Sequence, residues 1–332
     1  MIINNFVLIG GHRMLVDLSK IIIKKKYKLD VIVDKFHLEM MVDKKTTLKQ
    51  KLKNENIKYS VISSKQLKVK DLKKYVNKNT IGISISSPWI LTREIINIFD
   101  GKLLNIHTSN LPKNRGGGGY SWQIMMKDMS GGICIHKVDE GIDSGDIVMS
   151  SKFIYPKTCK IPSDFIDYLE PFEKKIIRKF MSNIKKWSEL PSLQQNQNQA
   201  EYWPRLNTKE HGFINWSWNG DQIKYFIDAF DDPYVGATTF INGDQIHIKK
   251  CEIIQNKINF HPFQSGIVYK RTKFKIYISC TKYSLIVSFV GDSSGLSFLN
   301  KIRLGDRFYT PNHHIEKSVS KRVFYSAESN DY

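Results

Sequence analysis

Asn105, His107 and Asp143 are the residues of this chain whose types and spacing suit chemistry. A side-chain amide donates hydrogen bonds, an imidazole holds a proton, and a carboxylate orients the imidazole or takes the proton. An Asn-x-His pair followed by an Asp can stabilise an oxyanion and move a proton. Asn105 and His107 end the apolar run that begins at Leu103, and Asp143 lies in the turn Gly141-Ile142-Asp143-Ser144-Gly145-Asp146. Between them come Leu111-Pro112, Arg115 and the glycines Gly116 to Gly119. Glycines admit positive φ and close approach to backbone. A plainer reading stays open: Asn and His at a strand end form turns, and Asp143 can cap its own turn. Spacing alone names no reaction.

These groups need strands to hold them. Phe6 to Ile9 is an apolar strand ending in Gly10-Gly11, and a helix with Leu15, Leu18, Ile21 and Ile22 on one face follows. Further strands are expected at Val31 to Val33, Tyr59 to Ile62, Ile81 to Ser86 and Ile133 to Val138. A helix is expected over Val69 to Val76, a second over Arg93 to Phe99 capped by Thr92, and a long one over Ile161 to Leu190. Strand–helix alternation implies an α/β domain with a Rossmann-like parallel sheet. Gly-Gly-His-Arg is not a dinucleotide fingerprint. A helix start behind Gly10 and Gly11, with Arg13 beside it, can hold an anion or be a tight turn with an exposed arginine.

The polar run Gln194 to Gln199 reads as a linker. After it come a strand over Phe213 to Trp218, a helix over Asp221 to Phe230 capped by Asn219, and short strands from Thr238 to Val290. Closely spaced short strands with one helix predict a smaller, mostly-β, OB-like barrel. The expected division is 1–193, a linker 194–201, a β-rich domain 202–315 and a polar tail 316–332, frayed from His313 onward.

Composition sets outer bounds. The chain of 332 residues is 41% hydrophobic and carries a formal net charge of +19. Two domains, or one large one, with a sizeable core fit that length. No run reaches the ~20 apolar residues of a membrane helix, and the N-terminus does not read as a signal peptide. Cys134, Cys159, Cys251 and Cys280 lack C-x-x-C spacing, which favours structural thiols in a reducing cytoplasm over zinc or disulfides. The lysines, such as Lys24 to Lys26, Lys44, Lys45 and Lys49, have few aromatics among them and fit solvated faces better than a nucleic-acid platform.

The order Asn105-x-His107, Ser109, Leu111-Pro112, Arg115-Gly116 and Asp143-x-Gly145 resembles the core motif of the folate-dependent formyltransferases. The resemblance runs from Phe6 to about Pro311. It implies that Asn105, His107 and Asp143 are catalytic, that 10-formyltetrahydrofolate is the co-substrate, and that no metal takes part. The loop with Trp89, Ile90 and Leu91, completed by Val138, Glu140 and Gly141, would hold the pterin through backbone groups. Gly10, Gly11, Arg13, Ser109, Arg115, Gly116 and Gly117 would face the amine substrate.

Three stretches, Gly117 to Gln123, Ala229 to Tyr234 and Gly305 to Phe308, resemble the enzymes that N-formylate dTDP-linked amino sugars. The acceptor implied is a dTDP-linked amino-dideoxyhexose with its amine at carbon 4, as in dTDP-4-amino-4,6-dideoxyglucose, and with a 3-amino sugar as the alternative. Such an enzyme would be a cytoplasmic homodimer serving lipopolysaccharide O-antigen synthesis, binding neither nucleic acid nor membrane. Methionyl-tRNA formyltransferases share both domains and would suit the positive charge. A non-catalytic RNA-binding protein on the same fold is the contrasting class, and it has no need of the trio. Nothing after Trp203 supplies a comparable polar set, so the second domain is expected to be non-catalytic.

Overall fold

The structure, a computed structural model, describes residues 1–43, 45–117, 119–256 and 259–323. Lys44, Gly118 of the glycine run and residues 324–332 of the expected tail lie outside the described residues.

The first half alternates strands and helices. In order come β1 (Asn5–Gly10), α1 (Arg13–Lys24), β2 (Lys28–Val33), α2 (Lys35–Glu39), α3 (Leu48–Asn54), β3 (Ser60–Val61), α4 (Val69–Leu72), β4 (Thr80–Ile85), α5 (Arg93–Ile98), β5 (Leu103–His107), β6 (Arg115–Gly116), α6 (Gly119–Met126), β7 (Ser130–Lys137), β8 (Ile147–Ile154) and α7 (Pro162–Asn183). The main sheet has the order β3-β2-β1-β4-β5-β7-β8. Its first five strands are parallel, and β7 and β8 are antiparallel to their neighbours. Strand alternation feeds two cores. Phe6 and Leu8 of β1 face α1 and α7, while Val7 and Ile9 pack with Leu72, Ile95 and Phe99 on the other face. This is the expected Rossmann-like arrangement.

The second half comprises β9 (Tyr202–Trp203), α8 (Thr208–His211), α9 (Gly220–Ala229), β10 (Ala237–Ile241), β11 (Asp244–Gln255), β12 (Val268–Arg271), β13 (Ile276–Ser279), β14 (Tyr283–Gly291), β15 (Phe308–Tyr309) and α10 (Asn312–Ser320). Six of the strands form an antiparallel sheet, β12-β13-β14-β11-β10-β15. The sheet curls until its ends meet, with Val268 N donating to Asp306 O at 2.8 Å and Phe308 N to Gly266 O at 2.9 Å. The expected small barrel is therefore present, and α9 starts at an Asn219–Gln222 capping box.

Two expectations need correction. Phe213 to Trp218 is not a strand: only Phe213 bridges, to Thr238, because the Asn215 side chain accepts from Ser217 N and turns the chain. Residues 312–320 are a helix rather than a frayed tail, and Lys317 and Lys321 pair with Glu210 to hold it. Beside these, one cluster joins the two halves. Ile124 of α6, Tyr155 and Phe165 of α7 pack into one cluster with Ile223, Phe226 and the barrel interior.

Candidate functional site

The site forms where the sheet changes direction. β5 runs parallel to β4 on one side and antiparallel to β7 on the other, and the register sets His136 opposite Asn105 and Cys134 opposite His107. Alternation along β5 buries Leu104 and Ile106 and leaves Asn105 and His107 half-buried. The turn after β7 then carries Asp143 back over the end of β5. Asp143 occupies the left-handed region, at φ +52°.

Four polar side chains meet there. Asp143 Oδ2 accepts from the Gly116 backbone N–H at 2.9 Å and lies 3.7 Å from His107 Nδ1. Asp143 Oδ1 lies 3.3 Å from Asn105 Nδ2 and 3.4 Å from His136 Nε2. A backbone carbonyl can only accept, so His107 Nε2 carries a hydrogen, donated to Asn114 O at 2.9 Å. His136 Nδ1 likewise donates to Lys137 O at 2.8 Å, which leaves its Nε2 to accept from Asn105 Nδ2 at 3.2 Å. The Asn105 amide is thereby oriented, with one hydrogen on His136 and the other on Asp143. His107 Nδ1 is beyond hydrogen-bond distance of the carboxylate, so that edge of the ring can receive a substrate atom.

The electrostatics favour a permanent carboxylate. Burial alone would push the Asp143 carboxyl up. The positive field of His107 and the hydrogen bond from the Gly116 N–H outweigh burial and hold it well below the usual carboxylate range.

The other residues singled out from the sequence fall into three groups. Ser109 is buried, and its Oγ donates to the same Asn114 carbonyl as His107, tying the loop to the imidazole. Gly116 sits at φ +91°, where an added Cβ would meet Trp203 O at 2.5 Å; Gly117 is buried beside it. Arg115 does not stand free: its Nη2 and Nε donate to Gln195 Oε1 at 2.8 and 3.2 Å.

At the β1 end the glycines serve close packing. A Cβ on Gly10 would strike Ile85 O at 2.1 Å, and one on Gly11 would strike His37. Arg13 is also committed, Nε to Glu173 Oε2 at 2.9 Å and Nη2 to Ile166 O at 2.8 Å, so its guanidinium faces α7. His12 caps α1 by accepting from Met14 N, and burial, Arg13 and His37 push its pKa down to about 3.

The third group is the expected pterin loop. Trp89 is buried, its Nε1 donating to Ser64 O, while Ile90 is 72% exposed. Leu91 and Val138 pack on the same cluster as Trp89. Glu140 accepts from Arg93 Nε at 2.5 Å and Nη2 at 2.9 Å, which draws the turn holding Gly141 toward the 88–93 loop. Two loops with an apolar wall and exposed backbone fit a flat heterocycle. Among the described residues, no group of three or more His, Cys, Asp or Glu could hold a metal ion, and no helix is long and apolar enough to cross a membrane.

Two residues of the site escaped the sequence reading. His136 had a visible signal, a polar residue interrupting Ile133-Cys134-Ile135. Gln195 had none, because it lies in what reads as a low-complexity linker.

The formyl transferase family pattern matches residues 39–158, and the formyl transferase C-terminal domain pattern matches residues 207–295. The methionyl-tRNA formyltransferase of Alkaliphilus oremlandii is 28% identical over 228 residues, 69% of this chain and 69% of that protein. Matches to the proteins of the same name from Caldanaerobacter subterraneus and Orientia tsutsugamushi span 61% of their length. Among solved structures, the sugar 3N-formyl transferase WlaRD, studied with dTDP and 5-N-formyl-THF, superposes with a TM-score of 0.64 at 20% identity, covering 87% of this chain and 98% of that one. The Helicobacter canadensis N-formyltransferase, in complex with folinic acid and dTDP-3-aminofucose, gives 0.63 at 20% identity, covering 86% and 99%. A 4-N formyltransferase from Francisella tularensis gives 0.57 at 18%, covering 74% and 97%.

Proposed function

Because this chain belongs to the folate-dependent formyltransferase family, we propose that it moves the formyl group of 10-formyltetrahydrofolate onto the amine of a dTDP-linked amino-dideoxyhexose. The amine is expected at carbon 4, with the 3-amino sugar as the alternative. The observation that carries this acceptor is the state of the two arginines in the site loops. Arg13 is paired with Glu173 and Arg115 is forked onto Gln195, so neither offers a free guanidinium to a phosphate-rich tRNA. The mouth beside Gly116 is instead aromatic, with Trp122 and Trp203 at 5.4 Å between centroids and Tyr202 partly exposed. Aromatic faces suit a sugar or a base. With Arg13 committed, the diphosphate is left to the backbone N–H groups at the start of α1.

Each residue then has a role in the reaction. The neutral amine attacks the formyl carbon, the carbonyl oxygen becomes an oxyanion, and the folate nitrogen leaves with a proton. His107, protonated at Nδ1, faces the oxyanion. Asn105 turns the longer of its amide bonds, the 3.3 Å one to Asp143, onto the same oxygen. Loss of one such donor costs about 3 kcal/mol of transition-state stabilisation. Asp143 balances the imidazolium, and the amine proton passes to the leaving nitrogen directly or through water. The loops around Ile90 and Gly141 would hold the pterin by backbone groups, and no step requires a metal. The reading carries with it a cytoplasmic homodimer whose product enters surface polysaccharide; sedimentation of the purified protein tests the dimer.

The 28%-identical relative favours a second reading, methionyl-tRNA formylation. Direct competition separates the two. Formyl donor is supplied with equal amounts of the dTDP-4-amino sugar, its 3-amino isomer and charged initiator tRNA, and products are followed by mass spectrometry. Formylated sugar is expected. Formylated methionyl-tRNA with untouched sugar would sink the proposal, and formylation of the 3-amino isomer alone would move the amine.

A further inference from the structure

We propose that Gln195, in the connector between the two sheets, is a positioning residue for Asp143. The inference rests on the functional reading above only in taking Asp143 as part of the site. Gln195 is 4% exposed, and both ends of its amide are used. Nε2 donates to the carbonyls of Asp143 and Gly145, each at 2.8 Å. Oε1 accepts the two Arg115 hydrogens at 2.8 and 3.2 Å.

These bonds close a circuit. Arg115 precedes Gly116, whose N–H donates to Asp143 Oδ2 at 2.9 Å. Gln195 thus grips both partners of that bond, the carboxylate through its own backbone and the donor through the neighbouring arginine. The grip opposes a real tendency, since Asp143 sits at φ +52°, where a residue with a Cβ is disfavoured. The connector is fastened on both sides. Leu193 and Ile147 exchange backbone bonds at 2.8 and 3.0 Å, Arg115 N donates to Glu201 O at 3.0 Å, and β6 pairs with β9.

The side-chain type matters. Only an amide presents two hydrogens to the carbonyls and an oxygen to the arginine. A leucine leaves two buried carbonyls and an arginine fork without partners. A glutamate keeps the arginine and turns an oxygen toward the carbonyls.

The test uses the full chain with Gln195→Leu, Gln195→Glu and, as a control, Gln197→Ala, whose exposed Oε1 accepts only the outer Arg115 hydrogen at 3.0 Å. A displaced carboxylate should lower kcat on the order of 10–100-fold in both Gln195 variants, with KM for the formyl donor nearly unchanged and with Gln195→Leu melting at a lower temperature because its buried partners are lost. Gln197→Ala should stay near wild type. Should Gln195→Leu fail to fold, Gln195→Glu carries the same expectation. A second readout needs no acceptor. Carboxyl ¹³C titration of Asp143, whose titratable neighbours are His107 and His136, should move toward the ordinary carboxylate range in the Gln195 variants. A folded Gln195 variant with wild-type kcat overturns the proposal. So does an unmoved carboxyl titration, or an equal loss in Gln197→Ala, which would make the segment a general tether. If wild type formylates no acceptor at all, the functional reading falls while the titration still judges Gln195.

Discussion

The two sheets of this molecule use buried polar side chains in opposite ways. In the barrel, such groups bond to nearby backbone or to a neighbouring side chain and tie the sheet together. Asp231 Oδ2 accepts from Lys250 N at 2.8 Å, Ser279 Oγ donates to backbone carbonyls, and Trp216 Nε1 donates to Thr239 Oγ1 at 2.8 Å. At the end of β5 the polar groups are bonded chiefly to one another and to loops. One edge, His107 Nδ1, stays unsatisfied by the protein. The difference teaches where chemistry can sit: a satisfied polar group adds fold, and a group held in place with an open valence can act on something else.

Substitutions sharpen that contrast, and the largest effect is expected at His107. His107→Asn should fold and lose on the order of 10³-fold or more in kcat, with melting near wild type; near-normal turnover would remove the imidazole from the mechanism. Asp143→Ala should follow closely, with folate affinity largely spared because the pterin is expected to rest on backbone groups rather than on this side chain. In the barrel the pattern should invert. Trp216 is buried and stacked on Phe308, so Trp216→Ala should cost roughly 3–5 kcal/mol of stability. The surviving folded fraction, measured by active-site titration, should turn over normally. A fall in kcat without a fall in stability would erase the distinction.

The smallest expected effect is that of acid. His12 is depressed from 6.5 to about 3 on folding. The unfolded chain therefore binds the proton first, and the stability present above pH 6.5 is lost progressively as pH falls toward 3. Asp143, also depressed, contributes stability above about pH 4 that disappears below it. Melting curves across that window should show the decline, and His12→Asn should flatten its upper part. An unchanged pH slope in that variant would assign the loss elsewhere.

Much of this organisation was legible in the sequence, for physical reasons. Apolar runs marked β1, β4, β5 and β7, with Gly10-Gly11 closing the first, and Asn219 marked the start of α9. Asn105, His107 and Asp143 were legible because an order of residue types survives in the chain. What failed has a common cause. Arg13 and Arg115 were expected to face the substrate, and the partners that hold them, Glu173 and Gln195, are remote in sequence and invisible to local pattern. Asn215 defeated the strand reading at Phe213 because a side chain competed with the ladder. The run Gln194 to Gln199 looked like filler by composition, although burial of one amide and the bridge at Leu193 give it a shape.

The shared cluster around Ile124, Phe165 and Phe226 has a practical corollary for anyone recombining this protein. A chain cut at the glutamine run would lay bare Ile124, Tyr155 and Phe165 and strip β9 from Arg115. A chimera that exchanges the barrel must therefore carry its own complementary apolar face and splice beyond Trp203. The same seam leaves little slack for a hinge, so ligands must enter between loops rather than by the swinging apart of the two halves.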